Sequence, residues 1–262
     1  MKVSYFPGCT LKTKAKDLDA YARRSAEVLG VTLEEIENWQ CCGGVFTTAK
    51  DEVATKLSSV RVLKAAKEKD QALVTVCSAC HNVVKQTNNA MQNDAEFAGK
   101  VNRYMGAEGG YDGSTQVYHF LELLRDVVGF DKVKEKVVNP LNGEKIAAYY
   151  GCLLLRPGSV MQMDDPENPK IIEDLIRALG GEPVIYNMRN ECCGAYAIME
   201  DGDFAARKSE NIVSNAQSFG AQRMVTACPL CKYNLERNGS DLPVVYFTEL
   251  LAQALGVKED AK

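Results

Sequence analysis

Two patterns of apolar and polar positions alternate along the 262-residue chain. Short apolar runs, among them KVSYF at 2–6, LVTV at 73–76, KIAAYY at 145–150 and MVTA at 224–227, stop at a glycine, a cysteine or a proline and read as strands. Between such runs apolar residues recur every three or four positions. Leu18, Tyr21, Ala22, Ala26 and Leu29 stop at Gly30, and Ile171, Ile172, Leu175, Ile176 and Leu179 stop at Gly180, predicting two helices closed by glycine. Asp51 and Asp203 are placed to cap two more, the first carrying Val53, Leu57, Val60 and Leu63. Strands separated by helices predict βαβ units, whose strands must be parallel. The expected fold class is α/β: two pseudo-symmetric repeats, each a small parallel-sheet βαβ domain, at residues 1–143 and 144–262.

The repeat is visible in the letters. KVSYFPGC (2–9) answers KIAAYYGC (145–152), and NWQCCGG (38–44) answers RNECCGA (189–195). LVTVCSAC (73–80) answers MVTACPLC (224–231), and VYHFLELLRDVVG (117–129) answers VVYFTELLAQALG (244–256). Two insertions separate the halves: eight residues after Cys152, and 24 within the polar stretch around 91–116, which Gly106, Gly109, Gly110 and Gly113 mark as loop.

A net charge of −4 without a long basic run argues against nucleic acid, which requires a concentrated basic surface. No apolar stretch reaches the ~18 residues of a spanning helix, and the N-terminus lacks the pattern of a signal peptide. A cytoplasmic protein with no membrane insertion is expected, in a compartment where cysteines bind metal more often than they form disulfides.

Ten cysteines fill two copies of one pattern, C-x31-CC-x34-C-x-x-C and C-x39-CC-x34-C-x-x-C, with none left over. Adjacent cysteines make poor structural bridges, and tetrahedral zinc leaves one thiol of each half without a role. Iron–sulfur chemistry accommodates them, although the dense ferredoxin run is absent. No G-x-G-x-x-G turn is present, so no flavin or nicotinamide is expected in this chain. Cys9, Cys77, Cys152 and Cys228 each follow a strand run, at the carboxyl ends where open α/β sheets bind ligands. A glycine before Cys9 and Cys152, and another after each doublet, lets the backbone approach a bulky inorganic group.

This doubled pattern resembles the CCG-domain family, and the whole-chain arrangement resembles the catalytic (B) polypeptide of heterodisulfide reductases. The resemblance implies a [4Fe-4S] cluster of non-cubane type in each half, with Cys9, Cys41, Cys42, Cys77 and Cys80 around one and Cys152, Cys192, Cys193, Cys228 and Cys231 around the other. It implies an oxidoreductase reducing a small-molecule or protein disulfide to two thiols, with the doublets Cys41-Cys42 and Cys192-Cys193 at the reacting centres. Partners would be a ferredoxin-like iron–sulfur subunit and a flavin subunit of the same complex, the latter able to bifurcate electrons. The alternative is an electron-transfer protein that serves a quinone or a partner dehydrogenase without disulfide chemistry. From the residues alone, His81 is a candidate proton donor that also reads as a partly exposed residue at a helix start, and His119 reads as packing. Tyr149, Tyr150 and Tyr196 flank cysteines, Arg156 lies in an insertion, and Trp39 is placed to shield the first doublet.

Overall fold

The computed structural model describes residues 1–44, 53–239 and 241–257. In the first half, β1 (Lys2–Phe6), β2 (Thr32–Glu35), β3 (Leu73–Thr75) and β4 (Val117–His119) form a parallel sheet in the order β2-β1-β3-β4. In the second, β5 (Lys145–Tyr149), β6 (Glu182–Val184), β7 (Arg223–Thr226) and β8 (Val244–Tyr246) repeat it as β6-β5-β7-β8. The expected doubled parallel α/β architecture is therefore present. The central strands β1 and β5 are exposed at the first residue and buried at the next four, as strands covered on both faces must be.

Helices α1 (Cys9–Thr13) and α2 (Lys16–Val28) follow β1, and Gly30, at φ 79°, takes the left-handed turn beyond α2. Later in the chain α3 (Val53–Glu68), α4 (Ser78–Asn93) and α5 (Ala95–Met105) cover the first sheet. Asp51, the expected cap of α3, lies outside the described residues. The stretch expected to be loop is in large part α5. Asp94 caps it by accepting from Phe97 N at 2.9 Å, and Phe97, Val101 and Met105, four residues apart, form a buried stripe that packs toward α3 and α4. The four glycines all fall beyond that helix.

Helix α6 (Phe120–Glu122) runs into π-helical Leu123–Val128 and is followed by α7 (Phe130–Glu135). The second half contributes α8 (Gly158–Met161), α9 (Ile171–Ala178), α10 (Gly202–Ser218), α11 (Pro229–Asn238) and α12 (Phe247–Ala254). Asp203 does not cap α10. Asp201 does, accepting from Phe204 N at 2.8 Å, because a cap side chain reaches the amide three residues on; Asp203 falls in the first turn.

The halves exchange their closing helices. Helix α12 packs on α2, where Thr248 Oγ1 donates to Leu18 O at 3.1 Å, while α6 and α7 lie against α9. The larger apolar core accordingly takes residues from both halves, including Val3, Leu29, Leu175 and Leu251. A smaller core lies around β7 and α10.

Candidate metal centres

In each half the strand order reverses beside the central strand, and loops after three strands converge at that point. Cys9 opens α1 after β1, Cys41-Cys42 follow β2, and Cys77 is the N-cap of α4 with Cys80 inside its first turn. Cys152 follows β5, Cys192-Cys193 follow β6, and Cys228 caps α11, which holds Cys231. Exposure repeats as well: Cys9 and Cys41 are exposed and Cys152 and Cys192 half-buried, whereas Cys42, Cys77, Cys80, Cys193, Cys228 and Cys231 are buried. Each set thus has a buried floor of three thiols and a mouth of two.

The thiols touch. Cys41 Sγ is 3.4 Å from Cys9 Sγ, Cys42 Sγ is 3.6 Å from Cys80 Sγ, and Cys193 Sγ is 3.6 Å from Cys231 Sγ. All five thiols of the second half line one constricted cavity, together with Ser78 from the first half and Tyr150. The glycines do what their positions suggest. A Cβ on Gly8 would lie 2.5 Å from Cys80 Sγ, and Gly43, Gly44 and Gly194 each direct a main-chain N–H at a doublet sulfur at 3.4 Å. Among the described residues, no three His, Cys, Asp or Glu side chains surround a single-ion position; the thiols lie in contact pairs instead.

Such contacts force neighbouring thiols to share protons. The Cys41 thiol holds Cys42 down to about 3, and Cys42 in turn pushes both Cys41 and Cys80 up. In the second half Cys152 holds Cys192 down to about 6, Cys231 holds Cys193 down to about 7, and Cys152 and Cys231 are themselves pushed up. Sulfur donors gathered on a buried floor are soft ligands, which as thiolates select Fe–S, zinc or Cu(I). The donor set, the amide-lined doublets and the space kept beside Cys80 fit an iron–sulfur group.

Around the sulfurs several expectations change. His81 is fully buried rather than partly exposed, because α4 turns its first-turn face inward; its Nε2 is 3.2 Å from Glu122 Oε2, with hydrogen-bond geometry at neither ring nitrogen. Burial lowers its pKa despite that carboxylate. His119 is buried too, and its Nε2 lies 2.8 Å from Val76 O. Trp39 packs edge-on against Phe6 and donates to Glu35 Oε1 at 3.0 Å, so it braces the segment before the doublet. Arg156 pairs with Glu167 at 2.9 Å and also reaches Asn190 O at 3.2 Å, near the second doublet. Tyr149 donates to Glu191 O at 2.7 Å, and Tyr150 donates to the buried carboxylate of Glu173.

Residues that the sequence did not single out join the two sets. Ser78 donates to Ala227 O through N at 3.1 Å and Oγ at 2.7 Å, and Tyr246 Oη lies 2.7 Å from Val76 O and 2.9 Å from Ala227 O. Val76 and Ala227 immediately precede Cys77 and Cys228. The signal available was the alignment of VCSAC with ACPLC, which places a hydroxyl opposite a proline.

Fold and thiols together define a duplicated doubly wound protein with a sulfur-lined site at the strand ends of each half. Residues 3–85 and 146–236 match the cysteine-rich (CCG) domain, one match per half, and the chain belongs to that family. It is 31% identical to the membrane anchor of the 8-methylmenaquinol:fumarate reductase of Wolinella succinogenes, over 97% of this chain and 92% of the relative. It is 27% identical to the B polypeptide of the ferredoxin/F420H2-dependent CoB-CoM heterodisulfide reductase of Methanosarcina acetivorans, over 99% and 91%. An Archaeoglobus profundus protein, itself named for its likeness to that same heterodisulfide reductase polypeptide, is 28% identical over 98% and 91%. A hypothetical protein from Helicobacter pylori shares the fold at a TM-score of 0.76 and 11% identity; the match takes 98% of this chain and 49% of that one. No helix among the described residues is long and apolar enough to cross a membrane.

Proposed function

We propose that this chain is the iron–sulfur component of a heterodisulfide reductase-type complex, reducing a disulfide to two thiols, with one lobe up to residue 143 and the other from 144. The observation that carries the reading is the duplicated five-thiol arrangement with a buried floor and an open mouth, in a chain whose relatives are named as parts of reductases. Cys9, Cys41, Cys42, Cys77 and Cys80 would hold one non-cubane [4Fe-4S] cluster, and Cys152, Cys192, Cys193, Cys228 and Cys231 the other. When bound, these groups would supply two electrons singly, and Lewis-acidic iron for the two sulfurs.

The chain's own residues would do the rest. Cys42, Cys77 and Cys80, with their counterparts, anchor from the protected side, leaving the mouths formed by Cys9, Cys41, Cys152 and Cys192 toward the disulfide. Doublet-directed amides of Gly43, Gly44 and Gly194 offset negative charge on sulfur. His81, next to Cys80 and beside Glu122, is the proposed proton-bearing group. Electrons would arrive through a ferredoxin-like iron–sulfur subunit from a flavin subunit, in the cytoplasm.

A second reading is favoured by the 31% identity to part of a menaquinol:fumarate reductase: electron transfer to or from a quinone, without disulfide chemistry. One preparation separates the two. Anaerobically purified chain is expected to contain iron and acid-labile sulfide, and with an artificial one-electron donor to convert a disulfide into two thiols. Iron-loaded protein that leaves disulfides intact but is reoxidised by a menaquinone analogue establishes the second reading, and an iron-free preparation excludes both.

A further inference from the structure

The peptide carbonyls of Val76 and Ala227 are equivalent by the repeat, and both are buried where the halves meet. Each belongs to the peptide group whose N–H is that of the next residue, Cys77 or Cys228, so its polarisation is felt one bond from a ligand cysteine. His119 serves Val76 O from within the first half, since its Nδ1 accepts from Leu121 N at 3.2 Å and its Nε2 therefore carries the hydrogen. At the equivalent place in the second half stands Tyr246, whose phenol reaches both carbonyls, 2.7 Å from Val76 O and 2.9 Å from Ala227 O. In the other direction Ser78 N and Oγ donate to Ala227 O, at 3.1 and 2.7 Å. Pro229, the counterpart of Ser78, has no N–H to return, so among the described residues of the second half it is the phenol that extends to the Val76 carbonyl. Tyr246, His119, Ser78, Val76 and Ala227 are all at most 1% exposed, where hydrogen bonds are not diluted by water.

On the reading that each half carries an iron–sulfur group, we propose that Tyr246 is a positioning residue that ties the two C-x-x-C loops together and makes the reduction potential of each centre depend on a residue of the other half. Hydrogen bonding around the ligand sulfurs and their peptides sets cluster potentials, and a fixed relation between two one-electron centres suits a reaction that consumes electrons in pairs. The first half acts on the second centre by a separate contact, the N–H and hydroxyl of Ser78 on Ala227 O, the carbonyl before Cys228.

The test is a redox titration of the iron-loaded full chain, with each centre followed by its electron paramagnetic resonance signal. Tyr246→Phe keeps the ring beside Phe247, 5.1 Å between centroids, and removes only the hydroxyl. It is expected to change the one-electron equilibrium constant of the first centre, all of whose candidate ligands lie in the other half, by at least threefold, about 28 mV at 59 mV per tenfold. Ser78→Ala is expected to move the second centre likewise, and the two substitutions combined to depart from additivity. Thr248→Val breaks another buried bond between the halves, to Leu18 O, without touching the C-x-x-C loops and is expected to move neither potential. A first centre that stays at its wild-type potential in Tyr246→Phe overturns the proposal, as does a Thr248→Val shift of equal size. Should Tyr246→Phe not fold, an unmoved second centre in Ser78→Ala overturns it. A wild-type chain that binds no iron removes the functional reading beneath it instead.

Discussion

The two halves share a cap and differ in what faces it. His119 and Tyr246 end equivalent strands, and three residues later Glu122 and Glu249 return to the cap's own N–H, at 2.7 and 2.5 Å. Burial opposes charge on Glu122, yet His81 at 3.2 Å and Lys85 at 2.9 Å hold it down to about 2. Burial instead pushes Glu249 up, because Lys232 stands off at 3.8 Å and Glu236 adds like charge. Both differences arise from two helix positions, 81 and 85 in one half and 232 and 236 in the other. Backbone hydrogen bonds that define the fold are thus retained through the duplication, while the charge on the same carboxyl diverges.

The sharpest way to break the comparison is to remove one floor thiol at a time. Cys42→Ala is expected to empty the first centre and leave the second, so that iron and acid-labile sulfide fall to about half, and Cys193→Ala is expected to do the reverse. Iron analysis with a signal assigned to each centre checks this. If either substitution empties both, the halves do not hold their groups separately.

Next in size is the glycine before each first cysteine. At Gly8, φ is +78° and a Cβ would sit 2.5 Å from Cys80 Sγ; at Gly151, φ is +65° and the corresponding contact to Cys231 Sγ is 3.4 Å. Gly8→Ala should therefore destabilise the metal-free chain by about 2–4 kcal/mol, backbone strain and overpacking together, and Gly151→Ala by about 1–2 kcal/mol from strain alone. Chemical denaturation of both variants measures the gap, and equal losses would show that the first half keeps no special space beside Cys80.

Much of this was readable in the letters alone. Apolar runs ending at cysteine, helices stopping at Gly30 and Gly180, and thirteen-residue matches such as 117–129 with 244–256 are local signals, and local signals fixed the strands, the two glycine-closed helix ends and the placement of Cys9, Cys77, Cys152 and Cys228 just past strands. Helix α5 went unread because four glycines just beyond it masked the Phe97, Val101, Met105 stripe. The depth of His81 could not be read, since which face of α4 turns inward depends on β4 and Glu122, some forty residues away. Nor could the exchange of α6 and α12 or the Tyr246 bridge, which depend on how one half sits on the other.

The smallest effect, and the most direct on the cap comparison, concerns pH. Glu122 lies below its usual value of 4.5, so its contribution to stability is present above 4.5 and is lost as pH falls toward about 2. Glu249 lies above 4.5, so its contribution is present below 4.5 and is lost as pH rises through its folded value. Lys85, His81, Arg125 and the His119 N–H face Glu122, and all favour its charge or tolerate it. Glu122→Gln keeps a carbonyl for the cap but loses that charge, and should cost on the order of 2 kcal/mol at neutral pH, shrinking on acidification. Glu249→Gln should cost less than about 1 kcal/mol at neutral pH, because there the substitution removes an ionisation that burial opposes. Denaturation midpoints of the metal-free variants across the acid-to-neutral range decide it: the two should diverge as pH rises, and parallel profiles would mean that helix positions 81 and 85 do not set the charge beneath the first centre.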